Sequence, residues 1–262
     1  MDPRVRTARR IFVETSNSLS LLLLICSIVP GPWSHRGSEL LTVTADVLDQ
    51  FVLLYPSLFH MAEAGSWRSV REHGLLSTSA LLDLFEIHGP MRREIETQWR
   101  PKGVPIHHPI HGTAVIRDQW PMPPQHLEKG LDGVSPQQWY EFLNRRTFLW
   151  LSEQRLLRML NASPYRDAAH DVLTLDTRAF VEEYVDRIMV CQINSGFALP
   201  MFGKVTPRSF ETFQTIEQRA ASGRLGGLAE LTVDYAAPDA WQFVTSVESW
   251  RGKVCQGTIW RP

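Results

Sequence analysis

Three side chains of this sequence have the types and positions to do chemistry together. His60 ends a short apolar run, Arg155 follows another, and Glu230 interrupts a third, far along the chain. An arginine suits a pyrophosphate, because its planar guanidinium donates several hydrogen bonds to phosphate oxygens. A carboxylate can stabilise a ribose that becomes cationic, and an imidazole can bind ribose hydroxyls. Together the three residues predict glycosyl transfer from a dinucleotide such as NAD.

The elements that must position these residues follow one pattern, in which short apolar strands lead into helices. His60 is predicted on a strand at 58–61, before a helix that Gly74 ends. Arg155 is predicted in a helix at 152–161 that follows a strand at 148–151. Glu230 is predicted on a strand at 228–235, after a loop of more than thirty residues, 194–227, whose length suggests a function. The other predicted elements are helices at 47–54, 79–85, 135–144, 178–184 and 238–247, and strands at 113–117, 172–175 and 187–193.

Composition limits the class of protein. The chain has 262 residues, of which 44% are hydrophobic, enough for one sizeable core or for one domain with an appendage. Its net charge of −1 and pI of about 6.8 give no global electrostatic sign of nucleic-acid or acidic-membrane binding. The cysteines Cys26, Cys191 and Cys255 lie far apart, which argues against a disulfide framework and a zinc site and suits a reducing cytosol.

Three segments resemble DarT-type ADP-ribosyltransferases, in the order in which that family has them. The segment 58–75, with His60 and a closing Gly-Leu, resembles the family's opening, and the tRNA 2′-phosphotransferases open in a related way. The segment 148–157 resembles Phe-Tyr-Phe-x-Pro-Arg-Ser-Pro-Met-Leu, with one extra residue before Arg155. Ala-Glu-Leu-Thr-Val at 229–233, with a proline shortly after, resembles the catalytic strand.

The resemblance has departures. Glu63 stands where the family has a second histidine, Ser66 stands where it has an asparagine, and the Pro-Arg-Ser-Pro core is missing around Arg155. The chain also resembles a bacterial family whose members open with Tyr-Pro-x-Leu-x-His-Met-Ala-Glu-Ala-Gly-Ser-Trp.

The resemblance implies an α+β fold, specifically an ADP-ribosyltransferase-like split β-sandwich with flanking helices around an NAD cleft. It implies transfer of ADP-ribose from NAD, with release of nicotinamide, onto a nucleic-acid base, a protein side chain or another acceptor. An antitoxin is an expected partner. The implied site residues are catalytic Glu230, Arg155 and His60, which should converge on the cleft; cofactor-binding His60, Met61, Ser77, Thr78 and Arg155; and acceptor-loop Arg208, Phe210 and Phe213, with no metal.

Residues 1–45 are expected to be an extension of uncertain status, and residues 46–262 the ADP-ribosyltransferase-like domain. Four arginines precede an apolar run from Leu19 to Val29, as in a secretory signal, but no small-x-small cleavage pattern follows. A later start of translation, near Asp46, also fits. Because NAD is an intracellular cofactor, we expect a cytoplasmic protein rather than an exported one, and no membrane association.

Other interpretations stay open. His60 could be a hydrogen-bonded core histidine, and Glu230 could lie on the solvent face of an edge strand. The domain could be a catalytically degenerate nucleotide-binding or interaction module of the same fold, or an enzyme like the tRNA 2′-phosphotransferases. His107, His108 and His111 suggest a metal only weakly, because no carboxylate or cysteine lies nearby at ligand spacing.

Overall fold

The computed structural model of the protein describes residues 43–262. The predicted extension therefore lies almost wholly outside the described residues, as does Cys26. Within the described range the helices are α1 (Ala45–Leu54), α2 (Trp67–His73), α3 (Thr78–Leu84), α4 (Gly89–Thr97), α5 (Pro124–Leu127), α6 (Pro136–Asn144), α7 (Glu153–Leu160), α8 (Thr177–Tyr184) and α9 (Ile216–Ala221). The strands are β1 (Ser57–Glu63), β2 (Leu75–Leu76), β3 (Val104–His108), β4 (Gly112–Ile116), β5 (Arg146–Trp150), β6 (Ala169–Asp176), β7 (Ile188–Cys191), β8 (Phe213–Gln214), β9 (Glu230–Asp234), β10 (Ala236–Ala237), β11 (Val244–Arg251) and β12 (Val254–Trp260).

The fold is α+β, with helices flanking one large antiparallel sheet. Eight strands follow the order β12-β11-β6-β1-β5-β9-β7-β8, and the short pairs β10-β2 and β3-β4 lie apart from them. The strands predicted around His60 and Glu230, and the strand that leads to Arg155, are therefore three neighbours, β1, β5 and β9. Among the described helices, none combines the length and the hydropathy needed to cross a bilayer.

The large sheet is nearly divided between β1 and β5. These two strands pair at a single register position, Phe59 with Trp150. By contrast, β1 pairs with β6 along its whole length, and β5 pairs with β9 along its whole length. The sheet therefore consists of two well-paired halves, β12-β11-β6-β1 and β5-β9-β7-β8, that meet at a narrow seam.

The register sorts side chains onto two faces. Residues paired across antiparallel strands share a face, so Phe59, Trp150, Glu230 and Cys191 project from the same side of the sheet. The largest apolar core lies on the opposite side, which we call the core face, and includes Leu58, Leu149, Leu173, Val190 and Leu231. Two smaller apolar clusters cover the side of Glu230, one around Leu156 on α7 and one around Trp139 on α6.

Local sequence signals explain several boundaries. The Ser135 hydroxyl accepts a hydrogen bond from the Gln138 backbone N–H, and the Gln138 side-chain carbonyl accepts one from the Ser135 backbone N–H. This capping box starts α6. Gly74 ends α2 with φ +78°, a conformation that favours glycine, and an added Cβ there would lie 2.3 Å from the carbonyl oxygen of Ala237. The glycine therefore lets the chain at the end of α2 approach the backbone of Ala237 and Pro238 closely.

Two sequence predictions of the fold need correction. The predicted helix at 238–247 is wrong: a 3-10 turn, Ala240–Phe243, is followed by β11, which pairs with β6. The predicted loop at 194–227 holds β8 and α9, which begins at a capping box on Thr215. Elements α4, α5, β2, β3, β10 and β12 were not predicted at all.

Candidate functional site

Glu230 is the first residue of β9, an interior strand of the large sheet, and its side chain is buried. It lies beside Trp150 of β5 and Cys191 of β7, and it is 3% exposed. Because β9 is flanked by strands on both sides, Glu230 does not lie on the solvent face of an edge strand. Its side chain alternates with those of Leu231 and Val233, which both pack in the core face.

Ser195 holds one oxygen of the Glu230 carboxyl group. Its hydroxyl donates to Glu230 Oε2 at 2.7 Å, and its backbone N–H donates to the same atom at 3.2 Å. Glu230 Oε1 accepts no hydrogen bond from residues 43–262, and it is not among their fully buried atoms that lack a partner. The carboxyl group is therefore fixed through Oε2, whereas Oε1 has no hydrogen-bond partner among the described residues.

Burial makes this carboxyl group a weak acid that titrates near neutrality. Removal from water raises the pKa of Glu230 from 4.5 to about 7. The two hydrogen bonds from Ser195 oppose this rise, and so do the positive charges of Arg155 and Arg208. A carboxyl group with a pKa near 7 can exchange a proton with a reacting group at physiological pH.

Arg208 braces the loop that carries Ser195. Its guanidinium is buried and donates to three loop carbonyls: Ser195 at 3.0 Å, Phe197 at 2.8 Å and Thr206 at 3.2 Å. Its backbone N–H donates to Gly130 at 2.7 Å. Burial lowers the pKa of the guanidinium. Arg208 therefore shapes the loop from inside.

The acceptor-loop prediction needs correction, because its three residues face the protein. The Arg208 guanidinium is already occupied by loop carbonyls. The Phe213 ring is 3% exposed and stands 5.0 Å from that of Phe142, and the half-buried Phe210 ring is 4.9 Å from the same residue. These rings anchor the loop to α6, so a role in stacking on an acceptor base has no structural support.

Arg155 lies on the same side of the sheet as Glu230. It is half-buried in the first turn of α7, which starts at Ser152 and packs through Leu156 against the cluster on that side. Its positive charge acts on the Glu230 carboxyl group. Within residues 43–262 its guanidinium makes no hydrogen bond and no ion pair. The structure thus brings Arg155 near Glu230 with its donors unused.

His60 is not brought to the same place. It alternates with Phe59 on β1 and pairs with Leu173, so its side chain belongs to the core face, opposite Glu230. Its Nδ1 lies 2.9 Å from the carbonyl oxygen of Phe148. A carbonyl can only accept, so Nδ1 carries the proton. The predicted convergence of His60 with Arg155 and Glu230 is therefore corrected: His60 bridges the seam between β1 and β5.

The surroundings of His60 keep its ring neutral. Desolvation lowers the pKa of His60 to about 4; the bond to Phe148 opposes this, and the charge of Arg117 adds to it. This fits the alternative of a hydrogen-bonded histidine in the protein interior.

Of the remaining predicted cofactor residues, Ser77 and Thr78 lie apart from Glu230, whereas Met61 projects from the same side of the sheet. Met61 is 7% exposed and packs with Leu156, so it is closed to a ligand. Ser77 caps α3 and donates its backbone N–H to Tyr235, beyond the other end of β9, roughly 16 Å along the strand from Glu230. Thr78 is half-buried at the start of α3.

The histidines of the β3–β4 hairpin form an aromatic stack. The rings of His108 and His111 are 4.7 Å apart, and His73 lies 5.0 Å from His111. His107 is exposed and contacts Thr113. No group of three or more His, Cys, Asp or Glu side chains between residues 43 and 262 has an arrangement that could hold a metal.

Residues 56–244 match the family described as "Family of unknown function (DUF7002)". No curated protein and no solved structure matches the chain.

Proposed function

This chain belongs to DUF7002, a family of unknown function, and from the chemistry of its own residues we propose that it is an NAD-dependent, DarT-like ADP-ribosyltransferase. The acceptor class we propose is a nucleic-acid base or a protein side chain. The seam between β1 and β5 supports this proposal, because a split β-sandwich is the fold that the sequence resemblance implies.

One observation carries the proposal: a buried carboxyl group is anchored through Oε2, its Oε1 has no hydrogen-bond partner within residues 43–262, and an arginine whose guanidinium makes no hydrogen bond there lies nearby. Burying a carboxyl group costs several kcal/mol, a cost that a purely structural residue would avoid. The pKa of Glu230 is about 7 as a result. Strongly perturbed acids of this kind concentrate at functional sites.

The arrangement fits the demands of ADP-ribosyl transfer. NAD supplies an ADP-ribosyl group whose bond to nicotinamide breaks with the electron pair leaving on nicotinamide, so that positive charge develops on the ribose. Ionised Glu230 would stabilise that charge and accept the proton that the acceptor loses when it bonds to the ribose. Ser195 would keep the carboxylate oriented, so that little reorganisation is needed.

Arg155 is proposed to bind the pyrophosphate. Its guanidinium has no hydrogen-bond partner in the described part of the chain, so all its donors remain for a ligand. A guanidinium can hold two phosphate oxygens at once, which fixes the ligand's orientation as well as its position. The positive charge also supports the ionised form of Glu230.

The test is nicotinamide release, and label transfer from NAD to nucleic acid and protein acceptors, by the full chain. Glu230→Gln keeps the shape and removes the charge, so the rate should fall by about two orders of magnitude. Glu153→Gln removes an exposed carboxylate from α7 and should leave the rate unchanged. Equal rates for the wild type and Glu230→Gln would exclude Glu230 as the catalytic group.

Binding is tested separately, by calorimetric titration with NAD. Arg155→Met should weaken NAD binding by about 1.5–3 kcal/mol, the range for a charge-assisted hydrogen bond. Arg158→Met, on an exposed position of the same helix, is the matched control. Absence of NAD binding to folded wild-type protein would overturn the cofactor proposal.

A second candidate is a nucleotide-binding module without turnover. Ser195 and its loop leave Glu230 3% exposed, which favours this reading over an open catalytic cleft. NAD binding without nicotinamide release, for every acceptor class tried, would identify it.

A further inference from the structure

Three histidine rings connect the tip of the β3–β4 hairpin to the end of α2. His108 ends β3, His111 lies in the turn that follows, and His73 is the last residue of α2. The rings of His108 and His111 are stacked with their centroids 4.7 Å apart, and the His73 ring meets that of His111 edge-on at 5.0 Å. The ring of Phe85, at the end of α3, lies 6.0 Å from that of His108 and 5.9 Å from that of His111. The hairpin tip is therefore held by ring contacts to both helices.

The turn after β3 requires a neutral His108. The Nδ1 atom of His108 lies 3.3 Å from the backbone nitrogen of Ile110 and 3.3 Å from that of His111. Because a backbone N–H can only donate, Nδ1 accepts both hydrogen bonds and carries no proton. An imidazolium has a proton on each ring nitrogen and cannot accept them. Protonation of His108 would therefore break both hydrogen bonds.

A second proton on the stack would bring two positive rings into contact. The only carboxylates that form ion pairs with these rings among the described residues are Glu72, 3.8 Å from Nε2 of His73, and Glu86, 3.7 Å from Nε2 of His108. Their side chains are 64% and 78% exposed, and exposed pairs of this kind contribute little in water. His111 lies between the other two rings. Like charges at this separation repel more strongly than the exposed carboxylates attract.

Acid therefore acts on the hairpin in one direction. Histidine side chains gain a proton as pH falls through about 6.5. The docked hairpin disfavours protonated rings, whereas a released hairpin leaves them in water, so the docked form binds fewer protons and loses stability as pH falls. The hairpin also carries Ile106 and Ile116, which form one apolar cluster with Leu82 and Ile95. Release of the hairpin would uncover this cluster.

We propose that the stack of His73, His108 and His111 is a pH-sensitive latch, which holds the β3–β4 hairpin in place at neutral pH and releases it in acid. The latch does not depend on the proposed enzymatic activity. The fourth histidine of this region, His107, is exposed and contacts Thr113, outside the stack.

The test is amide hydrogen exchange of the full chain at pH 7.5 and pH 5.5, corrected for the intrinsic effect of pH on exchange. The protection of residues 104–116 should fall by about tenfold or more between the two pH values, because release is coupled to the uptake of protons. The protection of β6 should not change. A hairpin that is equally protected at both pH values, or an equally large loss in β6, would overturn the proposal.

Variants identify the histidines that respond to pH. His108→Asn combined with His111→Phe keeps a hydrogen-bond acceptor and an aromatic ring but removes two titrating groups, so protection of the hairpin should no longer depend on pH. His107→Gln is the matched control and should keep the wild-type loss of protection. A double variant that still shows the wild-type loss, or a control that abolishes it, would refute the proposal.

Circular dichroism checks that the variants fold. If the double variant does not, His73→Gln at the end of α2 removes one ring of the stack from the other side and should reduce the loss of protection by about threefold or more. An unchanged loss in His73→Gln would equally refute the latch.

Discussion

Replacing Glu230 with glutamine should stabilise the protein in a way that depends on pH. The folded protein holds this carboxyl group at a pKa of about 7, against 4.5 in the unfolded chain. Between these values the unfolded chain has released the proton while the folded protein retains it, so the wild type loses stability as pH rises from 4.5 to 7. A neutral glutamine has no such penalty, and its carbonyl can still accept from Ser195.

The size of the effect follows from the same two values. At 1.36 kcal/mol per pH unit, the difference between 4.5 and about 7 corresponds to about 3 kcal/mol, fully developed above pH 7. Glu230→Gln should therefore gain up to about 3 kcal/mol over the wild type at pH 8. Near pH 4.5 the carboxyl group is protonated in the folded protein and about half protonated in the unfolded chain, so the gain should fall to a few tenths of a kcal/mol.

Urea unfolding of both proteins at pH 4.5, 6, 7 and 8 measures this difference. Glu211→Gln, at an exposed position without a hydrogen bond in the described residues, controls for the change in net charge. If the free energies of unfolding of wild type and Glu230→Gln differ by the same amount at pH 4.5 and at pH 8, Glu230 is not a desolvated acid and the reasoning fails.

Three further substitutions test the framework of the site. The folded protein keeps the pKa of His60 at about 4, below the usual 6.5. As pH falls from 7 to 4, the free energy of unfolding of the wild type should therefore fall by about 1–3 kcal/mol more than that of His60→Leu, as measured by urea unfolding at both pH values. Equal losses in the two proteins would contradict this. Arg208→Met removes three hydrogen bonds to loop carbonyls. It should lower the free energy of unfolding by about 2–4 kcal/mol and speed amide exchange at residues 194–208. Unchanged exchange would show that Arg208 does not hold the loop in place. Gly74→Ala should cost about 2 kcal/mol or more in thermal unfolding, since its φ is +78° and the new Cβ would overlap the Ala237 carbonyl; an unchanged midpoint would refute that contact.

Local patterns predicted six of the twelve strands, β1, β4, β5, β6, β7 and β9, most of which are apolar runs bounded by turn or helix signals. The run around Glu230 and the run before Ser152 became β9 and β5. The helix predicted at 238–247 failed for a non-local reason. Ala240, Val244 and Val247 have helical spacing, but the segment from Val244 onward gains more from pairing with β6, about 70 residues earlier in the chain.

The catalytic roles of Glu230 and Arg155 stay a prediction. The carboxylate in an apolar strand was a clear local signal for Glu230, and the structure adds that the charge of Arg155 acts on its carboxyl group. The position of His60 depends on how β1 aligns with β5, and a shift of one residue exchanges the faces, which no local pattern reveals. Ser195 lies in the predicted loop at 194–227, and no local pattern marks it, because its bond to Glu230 spans 35 residues of sequence.

The order of the strands sets when the sheet can be completed. One side of β6 is covered by β11, residues 244–251, whereas its partner on the other side, β1, is made near the start of the domain. During translation, β6 therefore keeps an unpaired edge that includes Val172-Leu173-Thr174-Leu175 until residues 244–251 have left the ribosome. Exposed apolar edges of this kind invite aggregation. A chain cut at residue 244, where the family match ends, would keep that edge permanently.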